Sequence, residues 1–162
     1  MKINKIIITL ILCMNLIIGL TGCATNKNSN DKEVIFNKKD ILIEYRGVSS
    51  AQTDEGDYLI CFYIENNSDK EIEVSLGEVL IDDWNINLSN NMAFVSANSK
   101  FLTKSHNSFW MDSEELKEYG VKKITNINCN LLIDELIHDD DGYLSEQIAK
   151  SKVNLKASVQ LN

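Results

Sequence analysis

The sequence contains no proline, one arginine (Arg46), two histidines and four cysteines in 162 residues. Each shortage narrows the chemistry open to the chain. With 16 basic against 24 acidic residues the formal charge is −8, so the basic face that grips a phosphate backbone is missing and nucleic acid is excluded as a partner. H-E-x-x-H, G-x-S-x-G, a phosphate-cradling glycine loop and paired C-x-x-C are all absent, which leaves the commonest hydrolase, nucleotide-binding and zinc-site readings without support. Only His106 and His138 carry side chains that titrate near neutrality. The missing proline, the lone arginine and the wealth of Ile, Asn and Lys match the bias of proteins encoded by AT-rich genomes.

What the chain does have begins at its N-terminus. Lys2 and Lys5 precede an apolar run from Ile6 to about Leu20, and small residues follow, as in an export signal. Leu20, Thr21, Gly22 and Cys23 form a lipobox, which predicts a lipoprotein signal peptide over 1–22. The Cys23 thiol is expected to carry a thioether-linked diacylglycerol and to become the first residue of the mature chain. Two acyl chains, at about 0.8 kcal/mol per buried methylene, make the anchor stable. The run is interrupted by Asn15 and is shorter than the roughly 20 residues that a spanning helix prefers. The expected location is therefore the extracytoplasmic side of the cell membrane, with the bilayer as first partner and no cofactor beyond the lipid.

Cleavage before Cys23 leaves 140 residues, enough for one domain with a core of its own. Residues 24–32 (ATNKNSNDK) lack apolar periodicity and, with Cys23, read as a lipidated tether over 23–32. Ser29 and Lys32 have the S-x-x-K spacing of serine acyl enzymes, but such a tether supplies neither the helix nor the cleft that this chemistry needs.

From Glu33 to the C-terminus the dominant period is two. Ile41 and Ile43 alternate with Leu42 and Glu44; Tyr58 to Glu65 is apolar on both faces, as in a strand covered on both sides; Ile72, Val74 and Leu76 alternate with Glu71, Glu73 and Ser75. Gly77 is placed for a bulge. Residues 82–91 read as a loop or short edge strand, and 92–95 and 100–111 as further strands. Asp112 and Glu115 form a capping box for a short helix with Leu116 and Tyr119 turned inward and Gly120 at its end. Ile127, Cys129, Leu131 and Ile133 alternate with asparagines, and Val153 to Leu161 gives a last clean strand. About seven antiparallel strands, with one short helix between two late ones, predict an all-β, immunoglobulin-like sandwich over 33–162.

Two stretches, YLICFYIENNSDKEIEV and DSEELKEYGVKKITNINCNLLI, together with the lipobox and tether, resemble the small immunoglobulin-like lipoproteins of clostridia and related low-GC Gram-positive bacteria. The resemblance implies a fold and a location, and no site residue.

Candidate sites are few. Cys61 and Cys129, the two thiols left after processing, invite an inter-sheet disulfide worth roughly 2–4 kcal/mol. Parity opposes it, because Ile60, Phe62 and Ile64 point to the core and turn Cys61 away while Cys129 points in. Two free, buried thiols are expected. Asp139, Asp140 and Asp141, followed by Gly142 and close to Asp134 and Glu135, form an acidic loop able in principle to bind calcium; Glu146 sits four residues after the glycine where an EF-hand wants six. A solvated turn explains the same residues. Trp84 lies in a polar segment, and Trp110 follows Phe109, so that one of that pair must point outward. Trp84 and the Asp139–Asp141 loop are the first candidates for a binding surface.

The expected function is a non-catalytic binding or accessory module, not an enzyme, whose ligand is a protein, a peptide or a cell-wall component. One alternative is an immunity-type lipoprotein that sequesters a cationic peptide. The other is a wall-acting hydrolase, which requires His138 to meet Asp134 and Asp139 or a polar group of a distant strand in a cleft.

Overall fold

The computed structural model describes residues 32–51, 56–103, 108–139 and 142–161. The expected signal peptide, Cys23, the tether up to Asp31, His106, Asp140 and Asp141 lie outside the described residues, as does the side chain of Asp139. Ten strands and one helix are present among the described residues. In chain order these are β1 (Glu33–Lys38), β2 (Ile41–Ser50), β3 (Tyr58–Asn66), β4 (Ile72–Ile81), β5 (Trp84–Asn85), β6 (Met92–Val95), β7 (Ser99–Leu102), β8 (Trp110–Met111), α1 (Ser113–Glu118), β9 (Lys123–Asp139) and β10 (Gly142–Gln160).

The strands form two antiparallel sheets. In the first, β1, β2 and β3 lie side by side, and β7 and β8 share the far edge of β3. In the second, β10, β9 and β4 lie side by side, and β5 and β6 share the far edge of β4. The pairing is that of an immunoglobulin-type sandwich: β2, β3 and β7/β8 stand where strands A, B and E do, and β4, β9 and β10 where C, F and G do. Ten strands instead of about seven arise because both far edges are built in two short pieces and because β1 adds a hairpin to the A position.

Hairpin turns explain much of the register. Lys39 and Asp40, between the paired Lys38 and Ile41, both have positive φ (54° and 61°), and so do Asp82 and Asp83 (45° and 75°) between Ile81 and Trp84. Two left-handed residues in a row give the primed turn whose twist matches that of the strands it joins. The second turn is also clipped to β9, since the Asp82 carboxylate accepts the Thr125 N–H at 2.9 Å and bonds the Thr125 hydroxyl.

Alternation then sorts the faces. Ile41, Ile43, Tyr45, Ile60, Phe62 and Ile64 of the first sheet meet Ile72, Val74, Leu76, Ile127, Cys129, Leu131, Ile133 and Leu155 of the second in one continuous core. Phe62 is its aromatic centre, edge-on to Phe109 at 5.0 Å and tilted against Tyr45 at 6.0 Å. The Tyr45 hydroxyl crosses the sandwich to donate to the Lys156 carbonyl at 2.9 Å. The doubly apolar reading of β3 holds, because Leu59 and Cys61 on its other face are buried with Ala51 under Trp110. Phe109 inside and Trp110 outside divide the two faces between them, and Phe109 reaches the core at positive φ (53°).

Two local expectations need correction. Residues 100–111 do not form one strand, since β7 ends at Leu102 and β8 begins at Trp110. Tyr119 is not inward-facing; Leu116 and Val121 fill the core beneath the helix, and Tyr119 is exposed. The helix does start on Asp112, whose side chain accepts the Glu114 and Glu115 N–H groups, but the Glu115 carboxylate takes the Asn87 N–H at 3.4 Å instead of closing a capping box. Its end is a Schellman motif: Gly120 (φ 73°) donates to the Lys117 carbonyl and Val121 to that of Leu116.

Cys61 and Cys129 are both free and buried. They lie on β3 and β9, the pair of strands that the antibody disulfide joins, but on opposite sides of the first sheet: Cys129 in the main core, Cys61 in the outer cluster beside the Ser49 hydroxyl at 3.2 Å. Burial pushes the Cys129 thiol up to about 12, so it behaves as an apolar side chain.

Candidate functional site

Three surface features stand out, and each grows from how a strand ends or pairs. The first is the β9–β10 hairpin. β4 pairs with β9 from Ile81 opposite Ile127 to Ile72 opposite Glu135, where β4 begins. β9 and β10 continue together beyond that point, through the pairs Leu136–Ser145, Ile137–Leu144, His138–Tyr143 and Asp139–Gly142. The face that buries Ile133 in the core therefore runs on past the sandwich, where Ile137 is 42% and Leu144 61% exposed. Tyr143 is exposed on the other face of the same tip.

His138 shares that outer face. Its Nε2 lies 2.9 Å from a Glu71 carboxylate oxygen, and its ring centroid is 6.3 Å from that of Tyr143. The partner from a separate strand region is thus Glu71, just ahead of β4, and not Asp134, whose cross-strand neighbour is Glu73. The His138 side chain is 63% exposed, so it sits on the wall of a projecting hairpin and is not enclosed by a cleft.

Carboxylates crowd the root of the hairpin. Glu73 faces Asp134 across β4 and β9, and Glu135 faces Glu146 across β9 and β10. Directly opposed like charges are unfavourable. Partial burial first, and the Asp134 charge second, raise the pKa of Glu73. Lys70 approaches Glu135 at 3.8 Å. No group of three or more His, Cys, Asp or Glu side chains is arranged to hold a metal among the described residues.

The second feature is Trp84, which is 49% exposed. It sits just after the Asp82–Asp83 turn and packs against Tyr119 at the end of α1, with ring centroids 5.5 Å apart. The two candidate surfaces named from sequence, Trp84 and the Asp139 region, are not brought together. Trp84 pairs with Ile81, level with Ile127, whereas Asp139 is at the far tip of the same strand.

The third feature was not singled out from sequence. On the outer face of the second sheet, Asn128 and Asn130 of β9, Asn154 and Lys152 of β10, Asn85 of β5 and Glu78 of β4 line a concave surface with a volume of about 490 Å³. A bulge between Gly77 and Leu80 shapes it. Glu78 has positive φ (50°) there, and its carboxylate receives the Asn130 side-chain N–H at 2.5 Å. The signal was present as asparagine at alternate positions of an otherwise apolar strand, which reads equally well as an ordinary wet face.

No protein-family model, curated protein or solved structure matches the chain.

Proposed function

We propose that the chain is a lipoprotein anchored through diacylglycerol on Cys23, facing the extracytoplasmic side, with the sandwich acting as a non-catalytic binding or accessory module. The observation that carries the binding role is the overhanging hairpin, whose core-type face has no sheet beneath Ile137 and Leu144 among the described residues. Contiguous exposed apolar surface of this kind marks contact with another molecule.

The position of the hairpin suits that role. Glu33 opens β1 opposite Tyr45, and Tyr45 is level with Lys156 of β10. From Lys156 back to Gly142 a strand covers about 40 Å, so a tether entering at Glu33 leaves the hairpin tip at the far end of the domain from the membrane. The partner is a protein, peptide or wall component met at that end.

A second reading, sequestration of a cationic peptide, is favoured by the opposed carboxylates Glu73–Asp134 and Glu135–Glu146 at the hairpin root. If it is right, cells lacking the protein become more sensitive to a membrane-active cationic peptide. Unchanged sensitivity across a peptide panel counts against it.

The anchor is tested by fractionation after feeding an alkyne fatty acid. The wild-type chain should take up the label and stay with the membrane, and Cys23→Ala should lose the label. Label uptake that survives Cys23→Ala removes the lipoprotein reading.

A further inference from the structure

We infer that the concave outer face of the second sheet is a binding site for a neutral, hydroxyl-rich ligand, a saccharide chain. Asparagine is a poor strand residue, yet Asn126, Asn128 and Asn130 occupy successive outward positions of the central strand β9, with Asn154 directly opposite Asn128 on β10. Outward strand positions that carry no packing are filled most stably by β-branched residues. Asn128, Asn130 and Asn154, joined by Asn85 of β5, line the concave surface, where they give up that stability and provide hydrogen-bonding groups in return.

The amides are held in place, and each holding bond uses only one end of the group. Asn154 donates from Nδ2 to Asn128 Oδ1, and Asn130 donates from Nδ2 to Glu78. This leaves the Asn128 NH2, the Asn154 carbonyl and the Asn130 carbonyl beside the cleft, a mix of donors and acceptors. A hydroxyl is both donor and acceptor, so a row of vicinal hydroxyls matches such a mix, whereas an anion or a cation needs one kind only.

Charge and apolar surface point the same way. Glu78 and Lys152 contribute one charge of each sign to the lining, so no ion of either sign is favoured. Leu80, 37% exposed, adds apolar surface against which the C–H face of a sugar ring can rest. The volume of about 490 Å³ falls within the range of small-ligand sites, roughly 300–1,000 Å³.

The site is separate from the hairpin tip: it lies on the outer face at the level of Asn128, and the tip lies beyond Glu135. It can therefore fail without removing the binding-module reading, and the reverse holds as well.

The test is a side-chain amide NMR titration of the lipid-free mature chain, residues 24–162, which contains the whole sandwich. The probes are soluble oligomers of N-acetylglucosamine, cellotetraose and maltotetraose, with a sulfated oligosaccharide and inorganic phosphate as charged comparisons. The expected result is that at least one neutral oligosaccharide shifts the NH2 signals of Asn128, Asn130 and Asn154 and leaves those of Asn66 unchanged. The double variant Asn128→Val/Asn154→Val should bind that probe at least about tenfold more weakly while its Tm stays level or rises, an outcome that purely structural amides would not produce. No shift with any neutral probe at 10 mM (about the weakest affinity of interest) overturns the proposal. So does binding that survives the double variant, or stronger binding of the sulfated probe or phosphate.

Discussion

Asn66, fully buried at the end of β3, should be one of the most costly polar side chains to remove. Its Nδ2 donates to the carbonyls of Lys70 at 2.8 Å, Val95 at 3.1 Å and Ser96 at 3.1 Å, and its Oδ1 accepts from the Ser68 N–H at 3.1 Å and the Ser68 hydroxyl at 2.7 Å. One amide thus ties the β3–β4 crossover to the segment between β6 and β7. Asn66→Ala does not lose all of this at full value. Once Asn66 Oδ1 is gone, the single Ser68 hydroxyl proton can turn to the Lys70 carbonyl, 3.2 Å away, and the Ser96 carbonyl keeps the Ser99 hydroxyl. Two to three net hydrogen bonds at about 1 kcal/mol each, together with a small cavity, give a loss of about 3 kcal/mol. For a domain of this size that lowers Tm by about 10 °C. Urea unfolding followed by tryptophan fluorescence reads the change, and Asn67→Ala is the control. Asn67 is exposed, its side chain makes a 3.4 Å contact with Glu65, and its backbone N–H bond to the Asp40 carbonyl survives truncation, so the substitution should cost under about 0.5 kcal/mol. A loss below about 1 kcal/mol at Asn66, or equal losses at the two positions, would show that the Asn66 amide does not hold the crossover.

Glu73→Gln should stabilise the fold at pH 7 by under about 0.5 kcal/mol. The folded pKa of Glu73 is raised, so its contribution is fully present below the unfolded carboxylate value of about 4.3 and is lost as pH rises through the folded value. The gain from Gln should vanish on acidification, and a gain that persists under acid is the contrary result. Tyr63→Phe should let the Glu65 pKa rise toward normal in a carboxyl NMR titration, because the Tyr63 hydroxyl, 2.9 Å away, is the largest cause of its depression, ahead of Lys100. Gly120→Ala should cost about 1 kcal/mol, since a Cβ is disfavoured at φ 73°; an unchanged midpoint contradicts this. Without reductant, a thiol reagent should modify neither Cys61 nor Cys129 in the native domain and both in denaturant, and failure to modify them in denaturant would reveal a bridge absent from the structure.

The parts of the fold legible in sequence are those where one face is dry. Ile127, Cys129, Leu131 and Ile133 alternate with polar residues because β9 has core on one side and water on the other. Leu59 and Cys61 broke the alternation in β3 because a second, small cluster covers its far face. The first half of β10 could not be read, since residues 142–147 are exposed on both faces and show no period. Tyr119 misled because Leu116 and Val121 already fill the space under the helix, and its ring found Trp84 instead. The exposure of Trp84 was legible from its polar neighbours. The overhang of Ile137 and Leu144 was not, because their spacing is that of ordinary core and only the shorter length of β4 leaves them uncovered.

On the proposed binding role, Ile137, Tyr143 and Leu144 are exposed for a partner and contribute little to folding. In-cell photo-crosslinking tests it, with a benzophenone amino acid at position 143 of the full chain and the same chain carrying Ile137→Ser and Leu144→Ser. A discrete adduct is expected with the first chain and its loss with the second, while unfolding free energies differ by less than about 1 kcal/mol because both side chains are already exposed. No adduct at position 143, or an adduct indifferent to the two serines, would contradict it.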